Sequence, residues 1–400
     1  MFFVDKPYIS EFFKETVRDN SIPIVGTDIS GKLGLCTGTK VVSEEEAIEI
    51  AQELNSPVIY TTSENSIGWI SKHLSFSDLP RKIELFKDKL KFRELTKSIF
   101  PNFYFKKVRV EDLENIQFNK LPLPFIIKPT VGFFSMGVHK VSNLEEWNST
   151  IDLITFEIDQ IKDIYPEEVL NTSTFIIEQC INGEEFAIDA YYNSAGEPVI
   201  LSIFKHVFSS DADVSDRVYI SSKDIIESNL DEFTGFAEKI GKLAGVENFP
   251  VHIELRRDND GTLLPIEVNP MRFGGWCTTA DTTFLAYGFN PYTYYYLQKK
   301  PNWPEILKEK EGKIFSIIVL DNSTGLAADK ITSFDYEKLI SNFEKPLELR
   351  KIDYKEYPVF GFLFTETRED NFFELKNILN SDLTEFISTN AFAESKKSDG

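Results

Sequence analysis

Cysteine is scarce in this chain, with three among 400 residues, at positions 36, 180 and 277. Thiols so widely spaced exclude a disulfide framework and a cysteine-based zinc motif. Positive charge is also short: 43 Lys and Arg stand against 64 Asp and Glu, for a net charge of −21. A surface of that sign repels phosphate backbones and acidic lipid, which argues against nucleic-acid and membrane partners. No apolar run approaches the roughly 20 residues that a membrane span requires. The opening Met1-Phe2-Phe3-Val4-Asp5-Lys6-Pro7 lacks the basic and long apolar regions of a signal peptide. A soluble, cytoplasmic protein is the expectation. There is no Gly-x-Gly-x-x-Gly after the first strand, no Gly-Lys-Ser/Thr closing a glycine loop and no Gly-x-Ser-x-Gly. Dinucleotide, Walker and serine-hydrolase motifs are therefore absent. Neither an internal repeat nor a low-complexity linker is visible.

What is present is ordinary globular composition, 42% hydrophobic and 27% charged, with 35 phenylalanines to fill aromatic cores. The length favours two or three domains. Residues 1–85 read as a small α/β unit, with short strands at 22–25 and 57–60 and a helix capped by Ser43. A charged helix spans 82–98. Strands follow at 125–128, 175–178, 186–190 and 198–201, consistent with an antiparallel sheet, with a helix after Asn143 and another at 231–244. The helix-like segment 277–298 holds Tyr292, Tyr294, Tyr295 and Tyr296, which read as packing. Beyond Pro301 and Pro304 the chain restarts as an α+β unit, with strands near 314–320 and 359–365 and a helix at 371–388. The polar residues 393–400 read as a disordered tail.

The strongest pattern lies at 251–269. Residues 251–257 alternate apolar and polar, as a half-buried strand does, and 262–269 return with a similar alternation. Asp260-Gly261 between them predicts a two-residue type I′ turn. Asn259 then faces Thr262, Glu254 faces Glu267 and His252 faces Asn269, all on one face. Cβ atoms so opposed lie roughly 5 Å apart, and two carboxylates there repel. A divalent cation removes that cost. With Asn269 as a third oxygen, the set is hard and suits Mg²⁺ or Mn²⁺ rather than zinc. A hairpin whose acids face water fits the same pattern. Past the strand, Pro270 fixes φ, Gly274-Gly275 lets backbone approach a ligand, and Arg272 is placed to hold an anion.

Two further elements point to phosphate and nucleotide. Lys128 ends a strand four residues before the loop Gly132-Phe133-Phe134-Ser135-Met136-Gly137, whose N–H groups can cover phosphates. The segment from Glu178 through Gln179, Ile181 and Gly183 to Glu185 joins two strands. Its backbone can meet an adenine edge, and a carboxylate further on can accept from ribose hydroxyls.

In this order the motifs resemble the ATP-grasp superfamily, and particularly its carboxylate–amine ligases. The matching elements are Asp88-Lys89, Ile127-Lys128-Pro129 with its loop, Glu178-x-x-Ile181-x-Gly183-x-Glu185, Glu254, and Glu267-x-Asn269-Pro270. They cover about residues 80–300. The resemblance implies an α/β and α+β multidomain ATP-grasp fold. Its parts would be an N-terminal α/β domain at 1–85, a nucleotide-binding domain at 86–305, a C-terminal α+β domain at 306–392 and the tail. It implies that Lys89 and Lys128 hold ATP phosphates, with Lys87 or Lys91 as alternatives to Lys89, and that Ser135, Met136 and Gly137 cover them. Glu178, Gln179 and Ile181 become the adenine hinge and Glu185 the ribose acceptor. Glu254, Glu267 and Asn269 become Mg²⁺ ligands, and Arg272 stabilises the phosphoryl group or the acyl-phosphate intermediate. Two departures stand out: Phe133 and Phe134 occupy a loop tip that usually carries small residues, and Met271 intervenes in what is often Asn-Pro-Arg.

The activity so implied is ATP-dependent joining of a small-molecule carboxylate to an amine through an acyl phosphate, in a protein that could form a homodimer. Alternatives are a thiol acceptor, bicarbonate activation, or a regulatory protein that binds ATP without turnover. The polar stretch 209–222 after His206, with Asp211, Asp213, Asp216 and Arg217, reads as a lid or an exposed loop. His252 lies near the expected metal or serves structure.

Overall fold

The computed structural model describes residues 1–54, 56–131, 137–161, 173–210 and 215–389. Ser135 and Met136 lie outside the described residues, as do Phe133, Phe134, Asp211, Asp213 and the 393–400 tail. The chain forms two compact units. The first comprises Met1–Glu184, Ala190–Val199 and Thr234–Trp276; the second comprises Glu185–Asp189, Ile200–Phe233 and Cys277–Gly400.

In the first unit, Val41–Val42, Ile24–Val25, Phe2–Phe3 and Tyr60–Thr61 form a parallel sheet in that order. The opening strand was not legible beforehand, because two apolar residues carry no period. Ser43 caps the helix Glu44–Glu53 as expected, its hydroxyl accepting from the Glu46 N–H at 3.1 Å. The helix expected over 82–98 is instead two, Leu79–Lys87 and Lys89–Thr96. Asp88 breaks it. Its backbone is extended and its carboxylate accepts from the N–H groups of Leu90 at 2.8 Å and Lys91 at 3.2 Å. An aspartate that satisfies a new helix start outcompetes continuation of the old one. Lys89 thereby opens the second helix, with its N–H donating to the Thr130 carbonyl at 2.8 Å.

A second sheet of this unit runs Phe105–Arg109, Thr174–Gln179, Phe125–Pro129 and His139–Val141, antiparallel throughout. Phe125, Ile127, Phe175 and Ile177 bury one face with Trp147 of the helix Leu144–Ile161. Asn143 caps that helix, accepting from the Glu146 N–H at 2.9 Å. The edge strand Phe105–Arg109 escaped the sequence reading because Lys106, Lys107 and Arg109 mask its pattern. The hairpin strands Phe249–Arg257 and Leu263–Pro270 complete the unit's site-bearing elements.

In the second unit, Val218–Ser222, Lys313–Asp321, Val359–Arg368 and Pro346–Lys351 are neighbours in an antiparallel sheet. Val218, Ile318, Phe360 and Leu363 share its core. The stretch 209–222 is thus not all loop: its last five residues form a strand, and Arg217 is buried with Asp321 at 2.8 Å. The segment 277–298 divides into Thr278–Tyr287 and Pro291–Tyr296, the latter capped by Asn290. Tyr292 and Tyr295 are fully buried, as packing residues should be. The helix expected at 371–388 is only Phe373–Leu379, and Ile387–Thr389 is a strand pairing Ile331–Phe334. Asn380, Ser381 and Asp382 favour a turn there and stop the helix. Among the described residues, no helix is long and apolar enough to cross a membrane.

Candidate active site

Glu254 pairs with Glu267 and His252 with Asn269, the expected register. The path to it differs from the expected two-residue turn. Asp258, not Asn259, faces Thr262: its N–H donates to the Thr262 carbonyl at 2.9 Å. The Gly261 N–H returns to the Asp258 carbonyl at 2.8 Å, with Gly261 at φ +85°. Asn259, Asp260 and Gly261 therefore form a three-residue loop, in which a glycine supplies the left-handed step. That loop alone would set Glu254 opposite Ile266. A register shift between Glu254 and Leu255 pairs Leu255 with Pro265 and leaves Ile266 as an extra residue. The bulge returns both glutamates to opposing positions.

Charged side chains of the first unit converge on this hairpin. Lys89 Nζ lies 3.1 Å from Glu267 Oε2, and Asn269 Nδ2 donates to Glu267 Oε1 at 3.1 Å. Burial alone would raise the Glu267 carboxyl, but Lys89 and then Lys128 outweigh it and bring the pKa to about 2. Burial likewise works against the Lys89 ammonium, yet Glu267 holds it above its ordinary value. Across the same face, His252 Nε2 stands 3.5 Å from Glu254 Oε1.

Glu178 is buried between two cations. Arg93 donates to it through Nε at 2.6 Å and Nη2 at 3.2 Å, and Lys128 Nζ lies at 2.9 Å. Burial pushes the Glu178 carboxyl up, and Arg93 with Lys128 overcomes this to give a pKa of about 2. Lys128 is held below its ordinary value, because burial with Arg93 and Lys89 outweighs Glu178. A nearby anion would relieve that. The sequence reading missed Arg93, which lies mid-helix with nothing to distinguish it from a surface charge. Its Nη1 also donates to the Pro265 carbonyl at 2.7 Å, tying this helix to the hairpin.

Arg272 follows Met271, a buried residue at φ +68° whose N–H donates to the Pro250 carbonyl at 2.8 Å. The left-handed step costs roughly 1–2 kcal/mol for a residue with a side chain. It redirects the chain as the hairpin ends. Arg272 Nη2 lies 2.9 Å from Glu64, which also takes Lys87 Nζ at 3.2 Å. Glu64 was the second residue missed, since no motif surrounds it. The three candidate lysines are thus separated: Lys89 meets Glu267, Lys87 meets Glu64, and Lys91 pairs with Glu84 on the surface.

The segment expected to meet adenine is pinned to its neighbours. The Gln179 amide oxygen accepts from the Tyr104 N–H at 2.8 Å, and the Ile181 carbonyl accepts from Arg256 Nη1 at 2.7 Å. Gly183 lies so close to the hairpin that a Cβ there would stand 2.0 Å from the Arg257 carbonyl oxygen. Glu185 belongs to the second unit, where it bonds His206 Nδ1 at 3.1 Å. His206 Nε2 meets the Ser215 carbonyl at 2.9 Å. Gly137 stands two residues before the strand His139–Val141.

Lys87, Lys89, Arg93, Lys128 and Arg272 outnumber Glu64, Glu178, Glu254 and Glu267 in this network, within a chain of net charge −21. Among the described residues, no group of three or more His, Cys, Asp and Glu could hold a metal unaided. Two opposed carboxylates and an amide oxygen instead fit a hard cation that completes its shell with ligand phosphates and water.

Residues 121–280 match the model of the ATP-grasp domain. A search of curated protein sequences returns no match. Solved structures do. An L-amino acid ligase from Bacillus licheniformis superposes with TM-score 0.67 at 19% identity, over 97% of each chain. A biotin carboxylase from Campylobacter jejuni gives TM-score 0.61 at 12% identity, over 98% of each chain. An N5-carboxyaminoimidazole ribonucleotide synthetase from Thermotoga maritima gives 0.56 at 14% identity, over 97% of this chain and 98% of that one. The fold is the multidomain α/β and α+β architecture of ATP-grasp proteins. Residues 121–280 thus carry an ATP-grasp domain, and the chain as a whole shares the fold of these structures.

The two depressed carboxyls set a pH dependence. Glu178 and Glu267 titrate near 2 when folded, below the ordinary glutamate value of 4.5. Their stabilising effect is present above the unfolded value and is lost as pH falls through the folded one. Urea midpoints should therefore drop between about pH 4.5 and about pH 2. In a Glu178→Gln variant the drop should be shallower. An equal drop in both proteins would show that Glu178 is not held ionised.

Proposed function

We propose that this protein is an ATP-dependent ligase that activates a small-molecule carboxylate as an acyl phosphate for attack by an amine. The observation that supports this most is Glu254 opposite Glu267, with Lys89 on the latter and Lys128 buried nearby. A carboxylate is a poor electrophile because its leaving group would be oxide. Once the γ-phosphoryl group has moved to it, phosphate becomes the leaving group. In this reading Lys89 and Lys128 hold the ATP phosphates beneath Ser135, Met136 and Gly137. Glu178, Gln179 and Ile181 border the adenine, and Glu185 accepts from the ribose. Glu254, Glu267 and Asn269 would hold Mg²⁺ or Mn²⁺, which would supply positive charge against the phosphates during transfer. Arg272 adds positive charge to the transferred group where water screens it poorly. The amine then attacks the acyl carbon, expels phosphate and loses its proton to solvent, with positioning supplying much of the rate.

In this reading 86–305 binds the nucleotide, flanked by the α/β segment 1–85 and by 306–392, which completes the acceptor site or mediates a homodimer. The likeness to an L-amino acid ligase supports an amino acid as amine. The likeness to a biotin carboxylase supports a second reading, in which bicarbonate is the acid activated. Phosphate release from ATP and Mg²⁺ should require both a carboxylate and an amine from amino-acid pools. Release dependent on bicarbonate favours the second reading, and tight ATP binding without turnover on any pool defeats both. Arg272→Ala should lower kcat more than it weakens ATP binding; equal losses would make Arg272 a nucleotide holder only.

A further inference from the structure

Phe105–Arg109 is the terminal strand of its four-stranded sheet. Its inner side is bonded to Thr174–Gln179: the Gln179 N–H donates to the Tyr104 carbonyl at 3.1 Å, and the Val110 N–H to the Ser173 carbonyl at 3.1 Å. Antiparallel ladders alternate inward and outward bonding. The N–H and C=O groups of Phe105, Lys107 and Arg109 therefore point away from Thr174–Gln179, to an edge with no strand partner among the described residues. A groove of about 760 Å³ lies along this strand. Lys106, Lys107, Arg109 and Lys120 line it, with Asp112 as the only acid in its wall among the described residues. Arg109 is already engaged by Glu111 at 2.8 Å and Asp112 at 3.3 Å. Lys106, Lys107 and Lys120 have no carboxylate partner among the described residues.

We propose that this edge docks an extended, carboxylate-rich segment of a partner protein, added as a further strand. Three observations converge. Outward backbone groups supply the ladder that strand addition needs. The groove beside them receives alternate side chains. The wall carries a local positive charge on a chain of net −21, so it selects acidic sequence. The same lysines oppose pairing with an identical edge, which excludes a symmetric second copy as occupant. Five residues of strand present about 17 Å of ladder, enough for a peptide segment of equal length. The proposal is independent of the ligase reading, because no groove residue belongs to the candidate active site.

The test uses the full chain and a fluorescent decapeptide alternating Glu and Val, with its Lys/Val counterpart as control. Saturable binding of the acidic peptide is expected, weakened at least ten-fold by K106E/K107E/K120E and unchanged by K242E, an exposed lysine that does not line the groove. Amide exchange at Lys107 and Arg109 should slow when the acidic peptide is bound, a readout that surface charge alone would not move. Circular dichroism of each variant checks folding, and K106Q/K107Q/K120Q gives a milder second series. The proposal is overturned if the acidic peptide does not bind, if both variant series bind it like wild type, or if those amides exchange unchanged. Displacement by tripolyphosphate at equal charge concentration, or preference for anionic vesicles, would also overturn it.

Discussion

Glu267→Gln is expected to cut ATP-dependent phosphate release on the order of 10²–10³-fold, the usual effect of removing one preorganised electrostatic group. The substitution preserves shape and keeps an oxygen for the Asn269 amide at 3.1 Å. It removes the charge that pairs with Lys89 at 3.1 Å. Lys89 would then face Lys128 without its counter-ion, and the proposed hard-cation site would lose half of its carboxylates. Far-UV circular dichroism should match wild type, since the hairpin is set by backbone pairing and not by this side chain. Steady-state phosphate release with saturating ATP is the measurement. A wild-type rate would remove Glu267 from the reaction.

Glu178→Ala should destabilise the first unit by about 3–5 kcal/mol, the cost of breaking a buried ion pair from one side. Arg93 and Glu178 are each 3% exposed and Lys128 6%. Removing the carboxylate therefore leaves two cations with little water to compensate them. Glu178→Gln should cost less, because an amide oxygen can still accept from Arg93 Nε. Urea unfolding at neutral pH gives both numbers. A loss below about 1 kcal/mol for the alanine variant would mean that solvent already reaches the cluster.

How much of this was legible beforehand depended on what each residue type constrains locally. The hairpin was readable because strand alternation and Asp-Gly are short-range patterns, and the Glu254–Glu267 pairing came out correctly. It did so through two departures that cancel, a loop one residue longer and one extra residue at Ile266. Neither leaves a trace in a periodicity argument. Lys89 was readable from its motif, but the break at Asp88 that presents it was not, since the charged pattern continues through 82–98. Arg93 and Glu64 were invisible for a different reason. Their roles arise from partners 85 and 208 positions away, Glu178 and Arg272. No local rule marks an arginine or glutamate that folding alone brings to its counterpart. The edge strand at 105–109 failed for the opposite cause: its lysines, which look like loop composition, are what an uncovered sheet margin requires.

The hairpin's closing pair has a practical corollary. Asn259, Asp260 and Gly261 lie outside the Asp258–Thr262 bond, so residues added among them leave that closing pair, and the register behind it, in place. A short epitope or fluorophore tag spliced between Asn259 and Asp260 would sit at an exposed tip while the carboxylates keep their places. A label could thus be placed on this hairpin without disturbing its carboxylate pair.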